Sequence, residues 1–237
     1  MLATITSPGE MQVMERMNRG AAALNRDTLK DAGVFAVSLF GGGGCGKTSL
    51  LQATLRRLKG EFRMGVIVGN IRADQDAERL APLCDQVVAV ETMDLDAELV
   101  REALQRVELD KLDILFIERA AGSVPKRDDL GQTASVGLFS VCGGDEKLLR
   151  YAKRIEHADL VLLTKSDLLP FMSFDPNVFR EAVRSLNPGA PVLQVSTRGT
   201  DDGLPEWCAW LRKQARNSPA PCGSAAVLEF GADYFFG

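Results

Sequence analysis

Eight consecutive residues, Gly41-Gly42-Gly43-Gly44-Cys45-Gly46-Lys47-Thr48, have the types and order needed to hold phosphate. They satisfy the pattern GxxxxGK[ST] at every fixed position. Glycine lets consecutive backbone N–H groups curl round an anion, and a following helix turns its positive end toward the same charge. In this pattern the lysine, Lys47, reaches the outer phosphates and assists their transfer, and the hydroxyl, Thr48, is a ligand for Mg²⁺. Gly42, Gly43, Gly44, Cys45, Gly46, Lys47, Thr48 and Ser49 are therefore the expected nucleotide-phosphate contacts. Cys45 is read as a small residue filling the turn.

Three further constellations fit a nucleotide. Thr164-Lys165-Ser166-Asp167 follows an apolar run and resembles the [NT]KxD element of GTPases. A carboxylate suits guanine because that base presents two adjacent donors, N1–H and the N2 amine. The stem of Lys165 can lie along the base plane. Ser196-Thr197-Arg198 follows the next apolar run, where GTPases place a second loop against the base. Leu112 to Glu118 reads as a buried strand ending in a carboxylate, and Glu118 is the expected partner of Thr48 around Mg²⁺.

The elements that must position these groups are legible as alternating periods. Short apolar runs at Val34–Phe40, Met64–Val68, Gln86–Val90, Ile114–Ile117, Val136–Val141, Leu160–Leu163 and Val192–Val195 predict strands. Helical spacing predicts helices at Glu10–Asp31, Ser49–Lys59, Leu95–Val107, Asp175–Leu186 and Leu204–Ala215, and a helix that includes His157. Strands alternating with helices predict an α/β fold, a P-loop NTPase with a mostly parallel sheet covered by helices on both faces. The organisation expected is an N-terminal helical segment over 1–33, a nucleotide-binding domain over 34–216, and a linker with an apolar, aromatic tail over 217–237.

Composition narrows the class. The chain of 237 residues has 46% hydrophobic and 25% charged residues and a formal net charge of −4, without the basic excess of a nucleic-acid-binding domain. No apolar run approaches the roughly 20 residues of a membrane span, and the first ten residues lack the apolar stretch of a signal peptide. Its five cysteines are widely spaced, with no CxxC. A reduced, cytoplasmic setting is expected, with neither nucleic acid nor membrane as a partner.

Taken together, the P-loop, Gly69-Asn-Ile-Arg-Ala-Asp-Gln-Asp-Ala-Glu-Arg79, Leu115-Phe-Ile-Glu118, Thr164-Lys-Ser-Asp-Leu-Leu-Pro170 and Glu206-Trp-Cys-Ala-Trp-Leu211 resemble the hydrogenase nickel-insertion accessory GTPases, the HypB group, relatives of the urease accessory GTPases. The resemblance runs from about Val13 to Gln214. It implies GTP hydrolysis with Mg²⁺, a nucleotide-dependent homodimer, and service to a client metalloenzyme or co-chaperone. Asp76 matches a family aspartate and is a catalytic candidate beside Lys47. Three departures qualify the picture. Asn70 stands where the family has aspartate, so hydrolysis is expected to be slow, and an adaptor that binds nucleotide without turnover is the alternative. The family's Cys-His pair is replaced in Thr92-Met93-Asp94-Leu95, and a second family cysteine is absent from Ser123-Val124-Pro125-Lys126. Thioether and carboxylate replace the soft ligands that select nickel or zinc, so no transition-metal site is expected.

Overall fold

The computed structural model describes residues 8–120, 128–143, 146–198 and 203–218. The elements run α1 (Pro8–Asp31), β1 (Phe35–Gly41), α2 (Lys47–Leu58), β2 (Met64–Asn70), α3 (Ala73–Leu80), β3 (Gln86–Glu91), α4 (Ala97–Leu104), β4 (Ile114–Arg119), β5 (Ala134–Ser140), α5 (Glu146–Ile155), β6 (Leu160–Thr164), α6 (Pro176–Leu186), β7 (Val192–Val195) and α7 (Leu204–Arg216). The strands form one sheet in the order β3-β2-β4-β1-β5-β6-β7, and every pairing is parallel.

The apolar runs become strands because both faces of the sheet are covered. All seven residues of β1 are buried, as are all of β4 and β6, and continuous apolar strands are what a doubly covered parallel sheet requires. One face packs on α2, α3 and α7 through Leu51, Leu55, Leu80, Trp207 and Leu211. The other packs on α1 and α4 through Leu29, Val100 and Leu104, and on α5 and α6 through Tyr151, Ile155, Phe179 and Val183.

Some boundaries differ from the sequence reading, each for a local reason. The helix expected over Leu95–Val107 is confined to Ala97–Leu104, because the Asp96 side chain accepts from Leu99 N at 3.0 Å and caps it. His157 lies in a turn after α5 rather than in a helix, and it is exposed. The Asn187 amide donates to Ile155 O at 2.8 Å and Ala158 O at 2.9 Å, which ends α5 and turns the chain into β6. Cys142 is exposed in a 3₁₀ turn after β5. Helix α3, where only the family resemblance had been noted, buries Ala73, Ala77 and Leu80.

Helix α1 docks by polar as well as apolar groups. The Asn25 amide donates to Ala97 O at 2.8 Å and Leu130 O at 2.9 Å, and Asn18 Oδ1 accepts from Ala97 N at 2.9 Å. Met14, Met17 and Leu24 of α1 are exposed. The aromatic tail beyond Ser218 lies outside the described residues. Among the described residues no helix is long and apolar enough to cross a membrane.

Candidate nucleotide site

The strand order reverses at β1, the position where open α/β sheets leave a crevice at the carboxyl ends of their strands. The phosphate loop leaves β1 there. Leu39 of β1 pairs with Glu118 of β4, and Gly41 pairs with Leu138 of β5. The loops after β6 and β7 open on the same edge. One cavity of about 520 Å³ is lined by Gly44, Gly46, Lys47, Thr48, Ser49, Arg79, Glu118, Thr164, Lys165, Asp167, Thr197 and Arg198, with Leu50, Leu168 and Val195. Residues separated by more than 150 positions in sequence therefore share one wall.

Two glycines of the loop are irreplaceable on geometric grounds. A Cβ on Gly41 would meet Leu138 O at 2.4 Å and Cys45 Sγ at 2.8 Å. Gly46 caps α2 at φ 95°, a left-handed conformation costly to any residue with a Cβ. Gly42 and Gly43 belong to the same loop without lining the cavity. Cys45 is buried beneath it, and burial pushes its thiol pKa up, so it stays neutral. The sulfur fills space, as its size predicts. Lys47 is 8% exposed. Its Nζ donates to Gly41 O at 3.2 Å and Gly42 O at 3.4 Å, which holds the ammonium over the loop.

Thr48 Oγ1 donates to Glu118 Oε1 at 2.7 Å. Glu118 is 2% exposed, and its Oε2 is buried with no hydrogen-bond partner. An orphaned carboxylate oxygen beside a threonine hydroxyl is a hard oxygen donor set, and it fits Mg²⁺. Thr48 and Glu118 are the residues that would hold the ion, which would supply positive charge against the phosphates.

Desolvation pushes the Glu118 pKa up to about 6, against the opposing hydrogen bond from Thr48. The sign follows directly. Because the folded value is raised, this group favours the fold at low pH, and that contribution is lost as pH rises through about 6. Acidification would therefore weaken the hold of Glu118 on a metal ion without weakening the fold through this residue. At pH 5.5 a group of pKa about 6 is about one-quarter ionised. Mg²⁺-supported nucleotide affinity is expected to fall about fourfold between pH 7.5 and 5.5, while Mg²⁺-free binding changes less. Calorimetry across that range checks it, and an affinity independent of pH refutes it.

The second motif is tied to the first. Thr164 Oγ1 donates to Cys45 O at 2.6 Å, so the first position of the TKSD run fastens the β6 loop to the phosphate loop. Ser196 Oγ donates to Asp167 Oδ1 at 2.7 Å and accepts from Arg198 N at 3.1 Å, which holds the carboxylate on the cavity wall. Ser196 does this from behind the wall, being 3% exposed. Lys165 between them has φ 60°, the one positive φ outside glycine among the described residues. Such conformations cost about 1–3 kcal/mol and cluster at functional sites.

Asp76 sits on α3 and does not line the cavity. Asn70 Nδ2 donates to its Oδ2 at 3.1 Å, and Arg79 Nη1 approaches its Oδ1 at 3.5 Å. Arg79 was not singled out by sequence reasoning. The available signal was its position one helical turn after Asp76. Met93, in the segment where the family ligands are replaced, is 80% exposed, and Pro125 and Lys126 lie outside the described residues. Among the described residues no group of three or more His, Cys, Asp or Glu is placed to hold a metal ion.

A parallel sheet with a P-loop at its switch point and a buried carboxylate on the neighbouring strand defines a P-loop nucleotide-binding protein. A family model described as CobW/HypB/UreG, nucleotide-binding domain, matches residues 35–194. The hydrogenase maturation factor HypB of Azotobacter vinelandii is 35% identical over 209 residues, covering 86% of this chain and 68% of that protein. The Escherichia coli K12 factor of the same name is 34% identical, covering 86% and 71%. The chain belongs to the HypB group of this family. Among solved structures, HypB from Archaeoglobus fulgidus superposes with a TM-score of 0.75 at 26% identity, covering 84% of this chain and 99% of that one. HypB from Helicobacter pylori, solved in complex with nickel, gives 0.76 at 26%, covering 84% and 95%.

Proposed function

We propose that this protein is a GTP-binding, GTP-hydrolysing accessory factor that acts as a switch in the maturation of a metalloenzyme of the hydrogenase kind. Membership of the HypB group supports the maturation role. The observation that carries the guanine assignment is the placement of Asp167. It lines the same cavity as Lys47 and Thr48, and Ser196 holds its carboxylate there at 2.7 Å. A fixed carboxylate accepts from the paired donors of guanine and has no such pair to meet on adenine. In this reading the loop amides and Lys47 bind the phosphates, Thr48 and Glu118 hold Mg²⁺, and Asp76 is the further carboxylate near the reacting end. A nucleotide-dependent homodimer and a client metalloenzyme or co-chaperone are the partners the family resemblance adds, and the reading keeps the cytoplasmic setting expected from the cysteine pattern.

Calorimetry with Mg²⁺ tests the base assignment. GDP and a non-hydrolysable GTP analogue are expected to bind well above ADP and ATP. Asp167→Ala is expected to lower guanine affinity about tenfold or more, since a charged acceptor is worth about 1.5–3 kcal/mol, and to narrow the preference over adenine. Equal affinity for the two bases in the unmodified protein would sink the assignment.

Asn70 favours a second reading, an adaptor that binds GTP without turning it over. Its amide engages Asp76 Oδ2 at 3.1 Å, so the carboxylate that matches the family aspartate is already occupied. Single-turnover hydrolysis separates the two: measurable phosphate release supports the switch, and none supports the adaptor.

A further inference from the structure

We propose that Arg79 reads the terminal phosphate of the bound nucleotide and so lets this protein distinguish GTP from GDP. The inference rests on the nucleotide reading above and extends it to a residue to which the sequence reading gave no role. Among the described residues lining the cavity, the cationic ones are Lys47, Lys165, Arg198 and Arg79. Lys165 and Arg198 stand on the loops after β6 and β7, which lie on one side of β1 in the sheet. These are the loops of the Asp167 end, where the base belongs. Arg79 stands on α3, after β2, and β2 lies on the opposite side of β1, beside β4, the strand of Glu118. A nucleotide whose base meets Asp167 and whose phosphates cross the loop above β1 must end its phosphate chain on the Arg79 side. Arg79 and Glu118 line the same cavity.

The contacts around Arg79 suit a group that changes partner. Its described ion pair is one 3.5 Å approach to Asp76 Oδ1, with 58% of the arginine side chain exposed. An exposed pair of that kind stabilises little, so exchanging it for phosphate costs little. Asp76 is held back from following, because Asn70 Nδ2 keeps its Oδ2 at 3.1 Å and Arg72 N fixes Asn70 Oδ1 at 2.7 Å. A planar guanidinium donates two parallel hydrogen bonds to phosphate oxygens, and it is drawn to the terminal phosphate because that group carries the most charge. The bland alternative is that Arg79 is only a surface ion-pair partner one helical turn from Asp76.

The test compares Arg79→Gln, Arg79→Lys and the unmodified chain, titrated with Mg²⁺ and either GDP or a non-hydrolysable GTP analogue. Arg79→Gln is expected to weaken the analogue about tenfold and to leave GDP within about twofold, with Arg79→Lys falling between. Its exposure predicts an unchanged melting temperature for both variants. Equal losses for the two nucleotides, or no loss for either, would overturn the role of Arg79 while the nucleotide assignment stands. An unmodified chain that bound neither nucleotide would overturn both.

Discussion

Replacing Lys47 by alanine is expected to lower guanine-nucleotide affinity by at least about a hundredfold. The lysine is 8% exposed, and its Nζ is held by the Gly41 and Gly42 carbonyls at the cavity. Two charge-assisted hydrogen bonds to phosphate at about 1.5–3 kcal/mol each give about 3 kcal/mol or more, which is the hundredfold. Among the described residues its ammonium hydrogen-bonds within the loop itself, to Gly41, Gly42 and Cys45, so the variant is expected to fold. Displacement of a fluorescent guanine nucleotide measures the loss, with circular dichroism as the check on structure. A loss below about fivefold would show that the loop binds phosphate by its amides alone.

Trp207→Ala is expected to cost about 3–5 kcal/mol of stability. Trp207 on α7 is fully buried, stacks on Trp210 at 5.5 Å, and donates from Nε1 to Thr54 Oγ1 at 2.8 Å. Thr54 lies in α2, the helix that begins at Lys47. The substitution therefore loosens the support of the phosphate loop as well as the core, and nucleotide affinity is expected to fall with stability. Trp207→Phe retains most of the packing and is expected to lose about 1 kcal/mol with the hydrogen bond. Urea unfolding measures both. A cost below about 1 kcal/mol for the alanine variant would mean that α7 repacks without its tryptophan.

The sequence was enough for the kind of protein and for most of its cavity. The P-loop is contiguous, so its chemistry needs no fold to be recognised. The strands are continuous apolar runs because a parallel sheet covered on both faces tolerates little else. Thr164 to Asp167 and Ser196 to Arg198 were found because each directly follows such a run, and in this fold strand ends are where loops meet ligand.

What the sequence could not decide was who meets whom across the chain. That Thr164 fastens the β6 loop to Cys45 O, and that Ser196 steadies Asp167 from behind the cavity wall, depend on β6 and β7 lying beside the central strands. The same strand order brings Arg79 into the cavity that Glu118 lines. The one local signal of that arginine, a place one helical turn after Asp76 at the end of the stretch 69–79, does not say which cavity it lines. The orphaned oxygen of Glu118 and its pKa near 6 come from burial, which is a property of the packed sheet and not of one strand. His157 was placed in a helix because local propensity does not register a cap supplied by Asn187, 30 positions away. The sequence by itself determined the covalently local features: loop chemistry, strand period and helix spacing. The tertiary structure alone decided partnership and solvation, because hydrogen bonds between distant segments and desolvation of charge exist only once the sheet has brought its strand ends together.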